Sequence, residues 1–487
     1  MKQVHFDSKL ALAWLALGGL GYFQVFPNII LCSIALLATL ACMIKRIDDY
    51  VPYAEITALI ATLQWVFMPM LGYIFETPIQ KYRMYVGEEF YFSFALPAVC
   101  CMNAMLLSIR RLKDPVGRAF RLEYSPKVLR HVAMLLITAG LASALVSGRV
   151  PGSLGFVFHL LSQLTYVAVL ILVYHEVPRS RWMLVLAVAP LILGAGRTAM
   201  FHSLLLWCCF FGIFWLRSRP RSHAFKMQFI AIGIAGVLAV QFFKGAYREE
   251  LMSQRGSGRL EAMVSVVSLD LFTREESWMN GVVRFNQGWI ISAILDNVPS
   301  REPYANGATL QDAIVAAIFP RFIMSTKKAV GGGANFRRYT GLPIGKGTSM
   351  GISPLGEAWA NFGKEGGIAL MFCWGAILSL FIIYLNRLAA SRPMFHFLIP
   401  LILYQGIKAE TEFLVIFNQL TKGLMLSLIV YWGMKHYGNI SFLKSEGTLR
   451  NPHPPSDATR THQSTEHSKV AKAVDSRHET SDQKRRA

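Results

Sequence analysis

Charge is scarce in this chain. Only 16% of its 487 residues are Asp, Glu, Lys or Arg, against about 25% in soluble domains. That deficit argues against an ordinary cytosolic enzyme. Cysteine is also sparse. All seven (Cys32, Cys42, Cys100, Cys101, Cys208, Cys209 and Cys373) fall inside apolar runs, with no C-x-x-C pair and no Cys/His ligand spacing. A secreted disulfide scaffold and a zinc site are both disfavoured. There is no G-x-x-x-x-G-K-[ST], no H-E-x-x-H and no G-x-S-x-G, and no G-x-G-x-x-G follows a strand pattern. Cytosolic ATP-driven work, zinc hydrolysis and hydrolase nucleophile chemistry therefore have no local signature, and no cofactor is implied.

What remains is apolar. Hydrophobic residues make up 53% of the chain and mean hydropathy is +0.39. They gather in runs separated by basic or Gly/Pro breaks. A bilayer crossing takes about 20 such residues as a helix. The fold class expected is an all-α polytopic membrane protein with about twelve transmembrane helices, near 10–26, 29–44, 51–75, 89–109, 128–147, 153–175, 182–196, 198–216, 227–243, 364–385, 394–407 and 413–434. Two pairs read as tight hairpins, one at Pro27-Asn28 and one at Gly194-Ala-Gly196-Arg197. No cleavable signal peptide is expected, because a second apolar run follows the first almost at once.

The net charge of +20 reads as orientation bias and lipid contact, with no nucleic-acid partner expected. With the N-terminus in the cytoplasm, eighteen Lys and Arg fall in short cytoplasmic segments. The short loops opposite hold Lys81, Arg83, Arg149, Arg197 and Lys408. Both termini are then cytoplasmic. The chain divides into 1–243 (helices one to nine), a large outer loop over 244–363, 364–434 (the last three helices) and a basic tail over 435–487. The tail, with Asn451-Pro-His-Pro-Pro-Ser and few aromatics, reads as disordered.

The outer loop carries its own helical patterns at 258–270 and 276–295. Thr309-Leu-Gln-Asp312 resembles a capping box opening a helix over 310–319, which Pro320 stops. That helix is apolar enough to lie on or dip into the membrane surface. Gly331-Gly-Gly333 reads as a flexible joint. Thirteen Lys and Arg against ten Asp and Glu make the loop cationic on the outer face, against the usual bias. Arg321, Lys327-Lys328, Arg337-Arg338 and Lys346 form the densest run. An anionic substrate explains it, since Arg grips phosphate by a bidentate fork; lipid headgroups or solvent are the plainer alternative. Arg197 sits among glycines at the outer mouth, as a ligand contact or a snorkelling side chain. His202 reads as a packing or hydrogen-bonding residue. In the last helix Asn418, Thr421 and Lys422 share a face. A cation at that depth faces a cavity or a partner.

Three stretches carry a family resemblance. They are Tyr304-Ala-Asn-Gly307-Ala-Thr309, Phe319-Pro320-Arg321-Phe-Ile-Met-Ser-Thr-Lys327, and Gly351-Ile-Ser-Pro-Leu-Gly356-Glu357-Ala-Trp359-Ala-Asn361-Phe362-Gly363. Their order resembles Wzy-type bacterial polysaccharide polymerases over the outer loop and the helix that follows it. Elsewhere the likeness is one of helix count, loop placement and the Gly-Arg hairpin. Lys327 is followed by Lys328 where the family tends to have proline. The resemblance implies a GT-C-like, metal-independent glycosyltransferase of the bacterial inner membrane. It implies joining of oligosaccharide repeat units carried on undecaprenyl pyrophosphate, with membrane lipids around it and a chain-length regulator and flippase as partners. Catalytic candidates are Glu357 as base or sugar binder, with Glu410 and Glu412 as alternatives, and Arg321 for the leaving charge. Substrate-binding candidates are Arg197, Arg284, Lys327, Tyr304, Asn361 and Lys422. Glu357 also fits a plain role, a carboxylate favouring the N-terminus of the next helix. A lipid-linked sugar flippase or transporter and an O-antigen ligase-like enzyme remain the alternatives.

Overall fold

In lipid a backbone must satisfy its own hydrogen bonds, so the long apolar runs become helices. The computed structural model describes residues 5–47, 49–75, 80–110, 124–150, 152–198, 201–219, 221–253, 285–319, 333–345 and 350–437. Residues Met1–Ile440 cluster as one unit; a second, Ser441–Ala487, lies outside the described residues, as do Arg284, Arg321, Lys327 and the predicted helix over 258–270.

The described chain is almost wholly helical, and its apolar helices make it a polytopic membrane protein. Among the described residues, seven helices are long and apolar enough to cross a bilayer: Asn28–Arg46, Tyr53–Ile74, Glu88–Ser108, Pro126–Ser147, Leu154–Tyr174, Ser353–Ser391 and Phe413–Tyr437. The other expected spans are helical but fall short of that standard. Ser8–Tyr22 has 15 residues and His202–Ser218 has 17. The run expected at 394–407 is a 3-10 turn, Pro393–Leu398, followed by the five-residue helix Ile399–Leu403. Pro393 and Pro400 punctuate that stretch.

Local chemistry sets the ends. The Asp7 side chain accepts from Leu10 N–H at 3.2 Å and opens the first helix. Ser125 accepts from Lys127 N–H at 3.3 Å, with Pro126 in the first turn of the helix it opens. Pro27 precedes Asn28 at the expected hairpin. The second expected hairpin differs: Gly194 to Arg197 continue the helix Arg181–Thr198, and the next described helix begins at His202.

Contacts group the helix ends into two sets. His5–Phe6 pairs antiparallel with Ile109–Arg110. Arg46 donates to Glu55 at 3.0 Å and to the Leu107 carbonyl at 2.8 Å, and Arg217 to the Ile47 carbonyl at 2.9 Å. All of these belong to the side assigned to the cytoplasm. At the other end Asn28 donates to Glu88 at 2.9 Å, Tyr22 to Glu365 at 3.2 Å and Tyr85 N–H to Ser292 at 3.2 Å.

The described residues of the predicted outer loop are folded onto these helices. Helix Gly288–Asn297 is buried along most of its length, as its apolar pattern predicts. Helix Ala308–Ile318 packs along the last helix, where Thr421 Oγ1 lies 3.5 Å from the Ala317 carbonyl. It therefore runs beside a span, with Ile314 and Ile318 left exposed. Gly307, at φ +87°, is its N-cap, so Thr309 lies inside the helix and the capping box does not form. Gly333 opens a short helix, Gly333–Thr340.

Candidate functional site at the start of the last helix

Two of the three motif stretches meet. The backbone of Ala305 donates to the Ala360 carbonyl at 2.8 Å and that of Asn306 to the Asn361 carbonyl at 3.2 Å. Asn361 is fully buried. Its amide donates to Thr309 Oγ1 and to the Glu357 carbonyl, both at 2.7 Å, and its Oδ1 accepts from Gly307 N–H at 3.0 Å. Thr309 is thus drawn away from capping into this tertiary bond. Trp359 donates its indole N–H to the Val298 carbonyl at 2.9 Å and packs edge-on against Phe90 and Phe94.

This joint ends at a kink. Gly363 takes φ +66° and ψ −154° inside the helix Ser353–Ser391. Only glycine occupies that region without strain. A Cβ there would lie 3.0 Å from the Tyr304 hydroxyl. Tyr304, half-buried, titrates above its ordinary range because burial and the nearby Glu365 carboxylate both oppose its ionisation.

Glu357 is 1% exposed. Its Oε2 accepts from Phe413 N–H at 2.6 Å, one of the donors that a helix start leaves without an intrahelical partner. The Thr309 hydroxyl also interacts with this carboxyl, whose Oε1 meets no partner in full hydrogen-bond geometry among the described residues. Glu412 is buried nearby and accepts from Asn335 at 3.3 Å. Burial raises the Glu412 carboxyl above the usual carboxylate range, against the Asn335 bond. The two carboxyls and three amides or hydroxyls tie the motif stretches, the Gly333–Thr340 helix and the start of the last helix into one polar corner. Neither carboxyl is open to a sugar, so Glu357 here positions the helix start.

The other candidates fall differently. Arg321, Lys327 and Arg284 lie outside the described residues. Arg197 is in the last turn of its helix, and its side chain is outside the described set. Lys422 donates to Asn418 at 2.6 Å, the i, i+4 contact its spacing predicts, and lies 5.2 Å over the Phe156 ring. Thr421 instead gives its hydroxyl to the Phe417 carbonyl at 2.8 Å.

The sequence reading missed one pairing. His202 Nδ1 and Glu410 Oε1 are 2.7 Å apart, with side chains 34% and 41% exposed. Lys408, two residues before Glu410, sits 4.1 Å over the Tyr404 ring. Burial pulls its ammonium down to about 8, against the attraction of Glu410. Comparison with models of known families, with curated proteins and with solved structures finds no match.

Proposed function

We propose that this chain is a membrane glycosyltransferase that polymerises undecaprenyl-pyrophosphate-linked repeat units into O-antigen, capsule or exopolysaccharide. It works at the outer leaflet of a bacterial inner membrane, crosses it about twelve times in a GT-C-like arrangement and keeps both termini in the cytoplasm. The growing chain is the donor, bonded through its anomeric carbon to pyrophosphate. A hydroxyl of the incoming unit attacks that carbon. The anomeric carbon–oxygen bond breaks and undecaprenyl pyrophosphate leaves.

One observation carries this reading. The stretches Tyr304–Thr309 and Gly356–Gly363, which bear most of the resemblance, are a single hydrogen-bonded joint in the first part of the helix Ser353–Ser391, the end that the proposed topology puts outside. A joint there holds the outer loop against the bilayer surface, where a lipid-linked sugar presents its pyrophosphate. Arg321, two residues beyond Phe319 where the described segment ends, is the proposed cation for the leaving charge. Glu357 and Asn361 hold the frame; Tyr304, Arg197, Arg284, Lys327 and Lys422 are the proposed substrate contacts. A flippase is the second reading, favoured by the Lys422–Asn418 pair inside the last helix.

Deleting the gene separates the two. A polymerase deletion leaves single repeat units exported and long polysaccharide lost. Unchanged chain length, or inward-facing lipid-linked units accumulating, supports the flippase. A reporter fused at Asn306 reads out on the outer side; a cytoplasmic signal there overturns both topology and polymerase.

A further inference from the structure

We propose that His202 and Glu410 form the proton-accepting dyad for the attacking hydroxyl, His202 as the base and Glu410 as the residue that orients it. The inference rests on the polymerase reading and adds the base that the buried carboxyls do not supply. Glu357 and Glu412 are each 1% exposed. The His202–Glu410 pair is the open one, at 2.7 Å with a third or more of each side chain exposed.

The chemistry follows from the contact. An ionised carboxylate only accepts hydrogen bonds. The His202 nitrogen facing it, Nδ1, therefore carries the proton, and Nε2 keeps its lone pair. A carboxylate that fixes the tautomer of an imidazole and stabilises the imidazolium is the arrangement that makes histidine an effective base. His202 begins the helix His202–Ser218, and Trp207, one turn on, stacks on Tyr404 with ring centroids 5.8 Å apart. Tyr404 also carries Lys408 over its face. The helix that bears the base and the turn that bears Glu410 are thus packed through the same ring.

Glu410 is held by the motif stretch itself. A Cβ on Gly351 would lie 2.5 Å from the Glu410 carbonyl oxygen and 3.5 Å from Glu412 N. Only a residue without a side chain lets this segment lie against the turn. Two residues beyond Glu410, Glu412 is fixed by Asn335, and next to it Phe413 is fixed by Glu357. The buried joint therefore sets where Glu410 stands. This gives the Gly351–Gly363 stretch a catalytic purpose without any of its own side chains touching substrate.

In the step, the hydroxyl oxygen of the incoming sugar forms the bond to the anomeric carbon of the donor. The carbon–oxygen bond to pyrophosphate breaks, and its electron pair leaves on undecaprenyl pyrophosphate. The hydroxyl proton passes to His202 Nε2. The resulting imidazolium is paired with Glu410 and releases the proton to water before the next turnover.

The test uses the full chain reconstituted in lipid nanodiscs. The substrate is the undecaprenyl-pyrophosphate-linked repeat unit extracted from a strain deleted for this gene. His202→Gln is expected to lower kcat about 10²–10⁴-fold with KM near the wild-type value. Glu410→Gln, which keeps an acceptor oxygen, lowers kcat less. The double variant is no slower than His202→Gln, because residues acting as a unit are non-additive. Asp296→Asn, at a half-buried carboxylate 3.6 Å from Arg301, stays at the wild-type rate. Heat stability in detergent confirms that each variant is folded; if His202→Gln is not, the kcat of Glu410→Gln decides. Wild-type polymer with an unaffected His202→Gln or, in that case, an unaffected Glu410→Gln overturns the dyad and leaves the polymerase standing. Additive losses overturn the pairing. No polymer from the wild type overturns the polymerase reading and the dyad with it.

Discussion

Replacing Glu357 separates a positioning carboxyl from a reacting one. Glu357→Ala removes the acceptor from Phe413 N–H, a 2.6 Å bond at the start of the last helix. A buried donor left unpaired costs about 1–3 kcal/mol. The missing methylene adds about 0.8 kcal/mol of lost burial. Part of this is recovered, because the buried Oε1 and the like charge beside Glu412 go too. The net expectation is a loss of about 1–3 kcal/mol, and one or two kcal/mol is already roughly a 5–30-fold change in the folded ratio. Glu357→Gln keeps an acceptor oxygen for Phe413 and offers an amide donor on the other side, so its stability stays within about 1 kcal/mol of wild type. The assay pairs a membrane immunoblot and heat stability in detergent with polymer length on a gel. The alanine variant should lose abundance and polymer together, and the glutamine variant should keep both. A glutamine variant with normal abundance and no polymer would put the Glu357 carboxyl in the chemistry and refute the positioning role. An alanine variant as stable as wild type would refute the bond's structural weight.

Three further outcomes are expected. Gly363→Ala should cost about 1–3 kcal/mol from its backbone region alone, seen as lower heat stability, and Tyr304→Phe should not rescue it because the strain is in the backbone. For Glu412, burial raises the folded pKa above the unfolded one. Its contribution is therefore full below the ordinary carboxylate range and is lost as pH rises through the raised folded value; heat stability across pH should show that loss, and Glu412→Gln should flatten it. Arg321→Ala should shorten polymer by a rate loss of about 10²–10³ at normal abundance, with Arg321→Lys a partial rescue for want of the bidentate fork. Arg301→Ala, an exposed residue 3.6 Å from Asp296, should be mild. Equal losses at both positions would point to general loop charge.

Most helices were legible because apolar runs and prolines mark them: Asn28–Arg46, Glu88–Ser108 and Phe413–Tyr437 lie within a few residues of the expected spans. Other breaks carried no signal. The expected span over 153–175 is crossed by one apolar run that is interrupted at Gln163, between Gly152–Ser162 and Leu164–Tyr174. The span beginning at Tyr53 contains a π-helical stretch, Leu63–Phe67, with neither Gly nor Pro in it. The expected helix start at 364 coincides with a kink at Gly363, because the preceding run 353–362 is itself helical and held by Asn361.

The candidate site was half legible. Glu357, Asn361 and Tyr304 stood out in their stretches, and the structure brings Glu357 and Asn361 into one buried joint with the loop that Tyr304 begins. Its partners were not readable, because Phe413 lies 56 residues beyond Glu357. His202 and Glu410 are farther apart still, on separate elements, and only tertiary packing makes a polar pair of them. Thr309 shows the reverse case: a local rule predicted a cap, and a 2.7 Å bond from Asn361 overrode it.

The most direct test of the central claim is chain growth by the purified protein alone. It is placed in nanodiscs with undecaprenyl-pyrophosphate-linked repeat units, and the products are resolved by length. A ladder of polymers, with undecaprenyl pyrophosphate released once per added unit, is the expected result. Repeat units that stay single, while the same protein in sealed vesicles carries them across the bilayer, would contradict it.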